Sequence, residues 1–319
     1  MRPSVFPRWK ALLSALCLSS ALASHAATLR TLGKVNYTTT AITPAPGHTS
    51  AYYLADSSSG RLACGEIRLL ENKRSRSVFT FNGYNGKSPS ALLTVGKTVY
   101  GITSSGGKND AGVLFRLRGK GIQILAQFDD TTGAVNSLGA VGHTLYGACD
   151  KGAFILRGHA FEFFPLQFIN GAVLLNGNVY AAQYYFPNNR LHLLTAGADT
   201  VLSTDWLPSV IRGKGRLFGI DKYTGLYANG RVISYDPATN TVRTVVNFQS
   251  YNGGQPSAST VLGDGTLLVG NSDGIWKVGA RPKKICACSY VRTLGVSGQK
   301  LYGLSGSYLS FAFEVDLRK

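Results

Sequence analysis

The 319-residue sequence contains one methionine and only 15% charged residues, against about 25% in an average soluble domain. Acids are the scarcer sign, with 16 Asp and Glu against 33 Lys and Arg, and they form no EF-hand-like spacing. Beyond the N-terminal leader no apolar run is long enough to span a bilayer as a helix. No Cys/His cluster has zinc-site spacing, and no nucleic-acid-binding motif appears. What is there is 44% apolar residues, 38 Gly, 16 Tyr and 15 Phe. That content supports a real core and excludes wholesale disorder. Gly and aromatic residues in such numbers predict short strands and tight turns, not helical bundles.

The N-terminus reads MRPSVFPRWK, then ALLSALCLSSALA, then SHAATLR. A basic stretch, a short apolar stretch and the small residues Ala21-x-Ala23 form a secretory signal over residues 1–23. The expected protein is exported, periplasmic or extracellular, with no transmembrane segment. Removing the leader takes away Arg2, Arg8 and Lys10 and no acid, so the mature chain stays strongly basic. Cys64, Cys149, Cys286 and Cys288 remain. Export permits disulfides, but spacing alone assigns none. Cys286-Ala-Cys288 reads most simply as two thiols on one face of a strand.

A pattern of alternating apolar residues after a turn recurs seven times: GEIRLL, GVLFRL, GAFILR, RLHLLT, GRVISY, GIWKVG and SFAFEV, 36 to 47 residues apart. A spacing near forty residues is that of a four-stranded propeller blade. A row typified by VYGIT and LYGLS precedes each of these, and apolar runs ending in Gly turns precede that row. A fourth row, such as SVFTF and IQILAQF, follows. Each unit therefore supplies strands A to D. The last unit stops before its D strand, and LRTLGKV (Leu29–Val35) is a spare strand at the other end. The sequence thus predicts an all-β, seven-bladed β-propeller over residues 28–319, with four-stranded antiparallel blades. The N-terminal strand completes the last blade and hides the sheet edges.

The segment Phe81–Leu117 carries Gly86, Pro89, Leu92, Tyr100-Gly101-x-Thr103, Gly106-Gly107 and Gly112-Val113-x-Phe115. A partial second copy runs from Phe248 to Leu262. In these features the chain resembles the GloVer-type tandem repeat of exported bacterial proteins. The resemblance implies a secreted β-propeller and no established reaction.

The strand order sorts the loops onto two faces. One carries the A–B and C–D turns, and it is basic: Lys73, Arg74, Arg76, Arg212, Lys214, Arg216, Lys283 and Lys284 are its polyanion-binding candidates. Its partners would be anionic polysaccharide, lipopolysaccharide or another anionic envelope polymer, drawn by the summed field. Non-specific attraction of phosphates follows from the same charge, but no specific nucleic-acid partner is expected. The other face carries the B–C loops and the D–A links. Its ligand-binding candidates are Tyr84, Tyr184, Tyr185, Trp206, Tyr223, Tyr251 and Tyr308. Rings beside Asn and Asp suit a glycan or an extracellular protein. The expected role is therefore non-enzymatic binding with no cofactor and no metal. The alternative is a lyase that cleaves an acidic, uronate-containing polysaccharide by β-elimination, with Tyr185 and Arg190, or Tyr223 and Lys222, as base and cation. Asp129-Asp130 reads as a turn more readily than as a glycosidase pair.

Overall fold

The computed structural model describes residues 27–184, 189–251, 254–307 and 309–318. The leader, Tyr185 and Tyr308 lie outside the described residues. The strands form seven four-stranded antiparallel sheets, arranged as a seven-bladed β-propeller. Blades 1 to 6 occupy residues 39–80, 87–127, 139–165, 169–206, 211–247 and 258–287. Blade 7 takes three strands from 291–316, and its fourth is Leu29–Val35, paired antiparallel with Ser310–Asp316. The A strands touch their counterparts in adjacent blades: Thr39–Pro44 contacts Lys87–Val95 and Val291–Ser297, and Ala258–Val261 contacts Val291–Ser297. They therefore ring the axis, with B, C and D following outward.

Strand position explains composition. B and C strands are covered on both sides by adjacent blades, so Gly152–Arg157 and Leu267–Gly270 are buried almost throughout. Such strands read as continuous apolar runs. The outer strand Arg74–Thr80 is largely exposed and carries the charge. The recurring Tyr-Gly pair has a packing cause. Gly101, Gly147 and Gly303 stand opposite Phe115, Phe154 and Phe313 in register. A Cβ on Gly101 would meet the Phe115 ring at 2.4 Å, and one on Gly303 would meet the Phe313 ring at 2.6 Å. The ring of one strand lies over the bare backbone of the next. In blade 4 the corresponding pair is Ala181 and His192, so a buried histidine replaces the phenylalanine.

The hairpin turns show why one face is basic. The A–B and C–D turns Gly96-Lys97, Gly119-Lys120, Gly142-His143 and Gly158-His159 each put glycine first, at φ between 57° and 61°. A two-residue hairpin of this form needs glycine there and leaves its second position free for a long polar side chain. Asn176-Gly177 forms the variant in which both residues have positive φ. Asn72-Lys73 makes the same turn, at φ 51° and 63°, with lysine where blade 4 has glycine.

The seam is tied by a buried carboxylate. Glu314 accepts from the Tyr52 hydroxyl and pairs with Arg30 and Lys300, each at 3.2 Å. Lys300 also donates to the carbonyl of Thr49 at 3.1 Å. One side chain thus links blade 7, its terminal strand and blade 1. Burial, reinforced by Glu314, pushes the Tyr52 hydroxyl far above its ordinary value. Cys64, Cys149, Cys286 and Cys288 are free thiols. No helix among the described residues is long and apolar enough to cross a membrane.

Candidate functional site

A cavity of about 480 Å³ opens on the B–C and D–A face between blades 3 and 4. Its polar wall is Asn136, Asp150, Lys151, Gln167 and Asn170, and its rings are Phe168 and Tyr184. The volume lies within the ~300–1,000 Å³ common for small-ligand pockets.

The link between the two blades is held by backbone bonds. Leu166 N–H donates to Lys151 O at 3.0 Å, and Phe168 N–H donates to Asp150 O at 3.1 Å. Tyr184 N–H donates to Phe168 O at 2.7 Å. Asp150 caps the preceding link by accepting from Ala134 N–H at 3.1 Å, and the Lys151 ammonium donates to the carbonyl of Asp130. This net holds Phe168 at φ 59° with its side chain 66% exposed. A bulky residue at positive φ is strained by about 1–3 kcal/mol, and such residues cluster at functional sites.

A second layer reaches the pocket from the blade interior. Gln183 donates through Nε2 to the carbonyl of Gln167 at 3.1 Å. Its Oε1 lies 3.0 Å from His192 Nε2, and His192 Nδ1 lies 3.2 Å from Asp199. With the Gln183 amide thus oriented, His192 Nε2 is the donor. Burial lowers the His192 pKa, and Asp199 opposes that shift.

Tyr184 is the one described member of the expected ligand-binding set that lines this cavity. Tyr84, Tyr223 and Tyr251 are exposed, but on other links and loops. Tyr84 tips a turn closed by reciprocal Asn82 and Asn85 bonds of 2.9 and 3.0 Å. Tyr223 lies in a loop capped by Asp221, with the Lys222 ammonium 5.2 Å from its ring centre. That separation is a cation–π contact. Trp206 corrects the expectation. It is 2% exposed, inside the blade 4–5 core, and its indole N–H is satisfied by Ser209 O at 3.0 Å. Its neighbour Leu207 is also buried, so the chain turns inward where an open loop was expected.

Phe168 was missed by sequence reasoning. Its position after the fourth strand of blade 3 was the available signal; its positive φ has no mark in the sequence. Asp129 is a turn residue, accepting from Thr131 N–H at 2.9 Å and Thr131 Oγ1 at 2.6 Å. Those bonds hold its carboxyl below the ordinary range. Among the described residues no group of three or more His, Cys, Asp or Glu stands together to hold a metal ion.

On the opposite face Lys73, Arg74, Arg76, Arg212, Lys214, Arg216 and Lys283 are exposed. Lys284 departs from the expectation for a basic turn. It pairs with Asp273 and lies over the Trp276 ring, 4.9 Å from its centre. Asp273 belongs to a B–C loop, so this lysine extends along its strand toward the other face. The basic residues form separate groups on blades 1, 5 and 6.

No protein-family model matches the sequence, and no curated protein matches it. Solved structures do. The extracellular domain of a hybrid two-component system protein from B. thetaiotaomicron aligns with a TM-score of 0.62 at 10% identity, over 91% of this chain and 39% of that one. The chain thus spans well under half of that neighbour's length. A gluconolactonase from Xanthomonas campestris aligns at 0.53 and 9% identity, over 93% and 92% of the two chains. BamB from Moraxella catarrhalis aligns at 0.50 and 14%, over 86% and 85%. At these identities the likeness shows the fold alone: the chain is a seven-bladed β-propeller.

Proposed function

We propose that this is an exported, non-enzymatic binding protein that holds a glycan in the cavity between blades 3 and 4. The carrying observation is Phe168, an exposed ring at positive φ that lines the cavity of about 480 Å³ together with Tyr184. Two rings offer apolar faces to a sugar, and the amides, Asp150 and Lys151 offer donors and acceptors to its hydroxyls. The same link step has positive φ at Ser88, Gln255 and Tyr290, so the repeat sets this backbone and Phe168 adds the exposed ring at the cavity. The opposite, basic face would meet an anionic envelope polymer. The GloVer-type resemblance and the leader-like N-terminus support export, and an extracellular domain stands among the structural neighbours.

A glycan array with the full mature chain tests the reading. Retention of a defined glycan, lost in Phe168→Ala and Tyr184→Ala, is the expected result. Unchanged retention in both variants overturns the site. A rise in absorbance near ~235 nm on mixing with uronate polymers would show β-elimination and replace binding with lyase chemistry.

A further inference from the structure

Two clefts flank the Asn72-Lys73 turn on the basic face. One, of about 660 Å³, is lined by Leu69, Glu71, Asn72, Arg74, Ser75 and Arg76. The other, of about 500 Å³, is lined by Arg30, Ser50, Asn72, Lys73 and the leucines of the N-terminal strand. Asn72 is common to both, so the clefts adjoin across the turn. The second lies on the closure seam, where Leu29–Val35 meets blade 1, and the first continues from it along the outer strands of blade 1. The two parts are in close contact: a Cβ on Gly33 would stand 3.2 Å from the Lys73 carbonyl and 3.0 Å from the Leu70 side chain.

The charges here are arranged for an anion. Lys73, Arg74 and Arg76 are exposed, and none is paired with a carboxylate among the described residues. Two acids are nearby, and Glu71 itself lines the first cleft. Glu71 stands opposite Arg74 in register but lies 3.1 Å from His48, and Glu314 is turned inward to Arg30, Lys300 and Tyr52. The turn itself is strained: Lys73 sits at φ 63°, in the second place of the turn type that the A–B turn of blade 4 completes with Gly177. Glycine relieves that backbone and lysine does not. Lysine is therefore the less stable choice at this position.

We propose that a linear acidic polysaccharide lies along these two clefts, and that it clasps the N-terminal strand to blade 1 and so holds the ring shut. The inference rests on the reading of the basic face given above and adds a place, a ligand class and a mechanical consequence. An extended chain with repeated carboxylates or sulfates would meet Arg30 and Lys73 on one side of the turn and Arg74 and Arg76 on the other. Asn72, Ser75 and Ser50 would meet its hydroxyls. Neither lining contains an aromatic ring among the described residues. That absence disfavours single-stranded nucleic acid, which needs stacking platforms.

The test uses the full mature chain. Probes are alginate and heparin oligosaccharides, with neutral dextran and a single-stranded DNA of equal charge as comparators. Affinity, Tm and hydrogen exchange of Leu29–Val35 are measured at low and high salt. The expected wild-type result is salt-sensitive binding to the acidic sugars, a raised Tm and slower exchange in Leu29–Val35. Lys73→Gly should bind about tenfold more weakly or worse, as the loss of a direct charge contact predicts, yet melt higher when free. That higher Tm excludes misfolding as the cause. The triple change of Arg212, Lys214 and Arg216 to Ser should stay within about threefold of wild type, because those charges act only through a screened distance. Alginate against heparin separates carboxylate from sulfate recognition, and binding to either supports the proposal. Equal loss in the blade 5 triple variant, unchanged affinity in Lys73→Gly, equal binding of the DNA, or unaltered exchange in Leu29–Val35 each overturns it. If only the placement is wrong, polyanions still bind in a salt-sensitive way; if the basic face has no such role, the wild type binds none of them.

Discussion

Phe168 and Lys73 occupy opposite faces of the ring and break the same rule. Each is a non-glycine residue at positive φ, 59° and 63°, and each is exposed. They differ in what holds them there. Phe168 sits in a link fixed by bonds to Asp150, Lys151 and Tyr184, so its ring is placed within a concave wall. Lys73 sits in a two-residue turn whose only demand is backbone curvature, and its side chain is left free to reach into a cleft. The first arrangement suits a ligand that must be oriented, the second a polymer that must be attracted. One antiparallel blade produces both, because its hairpin ends must be short while its links between blades can be long.

Breaking the core separates packing from recognition. Trp206→Ala should cost about 3–5 kcal/mol in urea unfolding, the usual penalty for emptying a large aromatic site. Glycan affinity per folded molecule should be unchanged. A variant of normal stability that had lost its ligand would return Trp206 to the binding surface.

Glu314→Gln is the next largest change. It removes a buried charge that holds two cations and the Tyr52 hydroxyl. The loss should be about 2–3 kcal/mol, below that of a fully buried pair because Arg30 and Lys300 remain partly hydrated. Faster hydrogen exchange in Leu29–Val35 than in blade 4 is the accompanying sign that the seam has opened.

Acid should weaken blade 4 through His192. Burial keeps its folded pKa below the ordinary 6.5, so the unfolded chain takes up the proton first as pH falls. Stability is full above the unfolded value and declines as pH drops through the folded one. In urea titrations at pH 8 and pH 5, His192→Gln should lose less stability than the parent on moving to the lower pH. Equal losses would remove His192 from the account.

The smallest effect belongs to Lys73→Gly, which should raise stability by roughly 0.5–1 kcal/mol by relieving the turn. The same exchange at Lys97, where φ is not positive, should give no gain.

Much of this could be read from the sequence, and the exceptions have physical causes. The blades were legible because packing on both sides of B and C strands imposes apolar runs, and because the Phe rings need Gly101, Gly147 and Gly303 opposite them. Leu29–Val35 was legible as the missing strand of blade 7. The basic corners followed from Gly-Lys turns. Trp206 was not legible as core, since an indole in an apparent loop looks the same whether it turns inward or outward. Nor was the reach of Lys284 to Asp273, which depends on how far its five-residue strand lets a side chain extend. Strain at Phe168 is a backbone property that its letter does not carry.

The most direct test pairs two readings on one variant, Phe168→Gly. Removing a strained ring from an exposed link should raise Tm and abolish calorimetric binding of the glycan selected on the array, while circular dichroism stays that of the parent. Undiminished affinity, or a fall in Tm, would contradict the claim that this residue is kept in its position for a ligand.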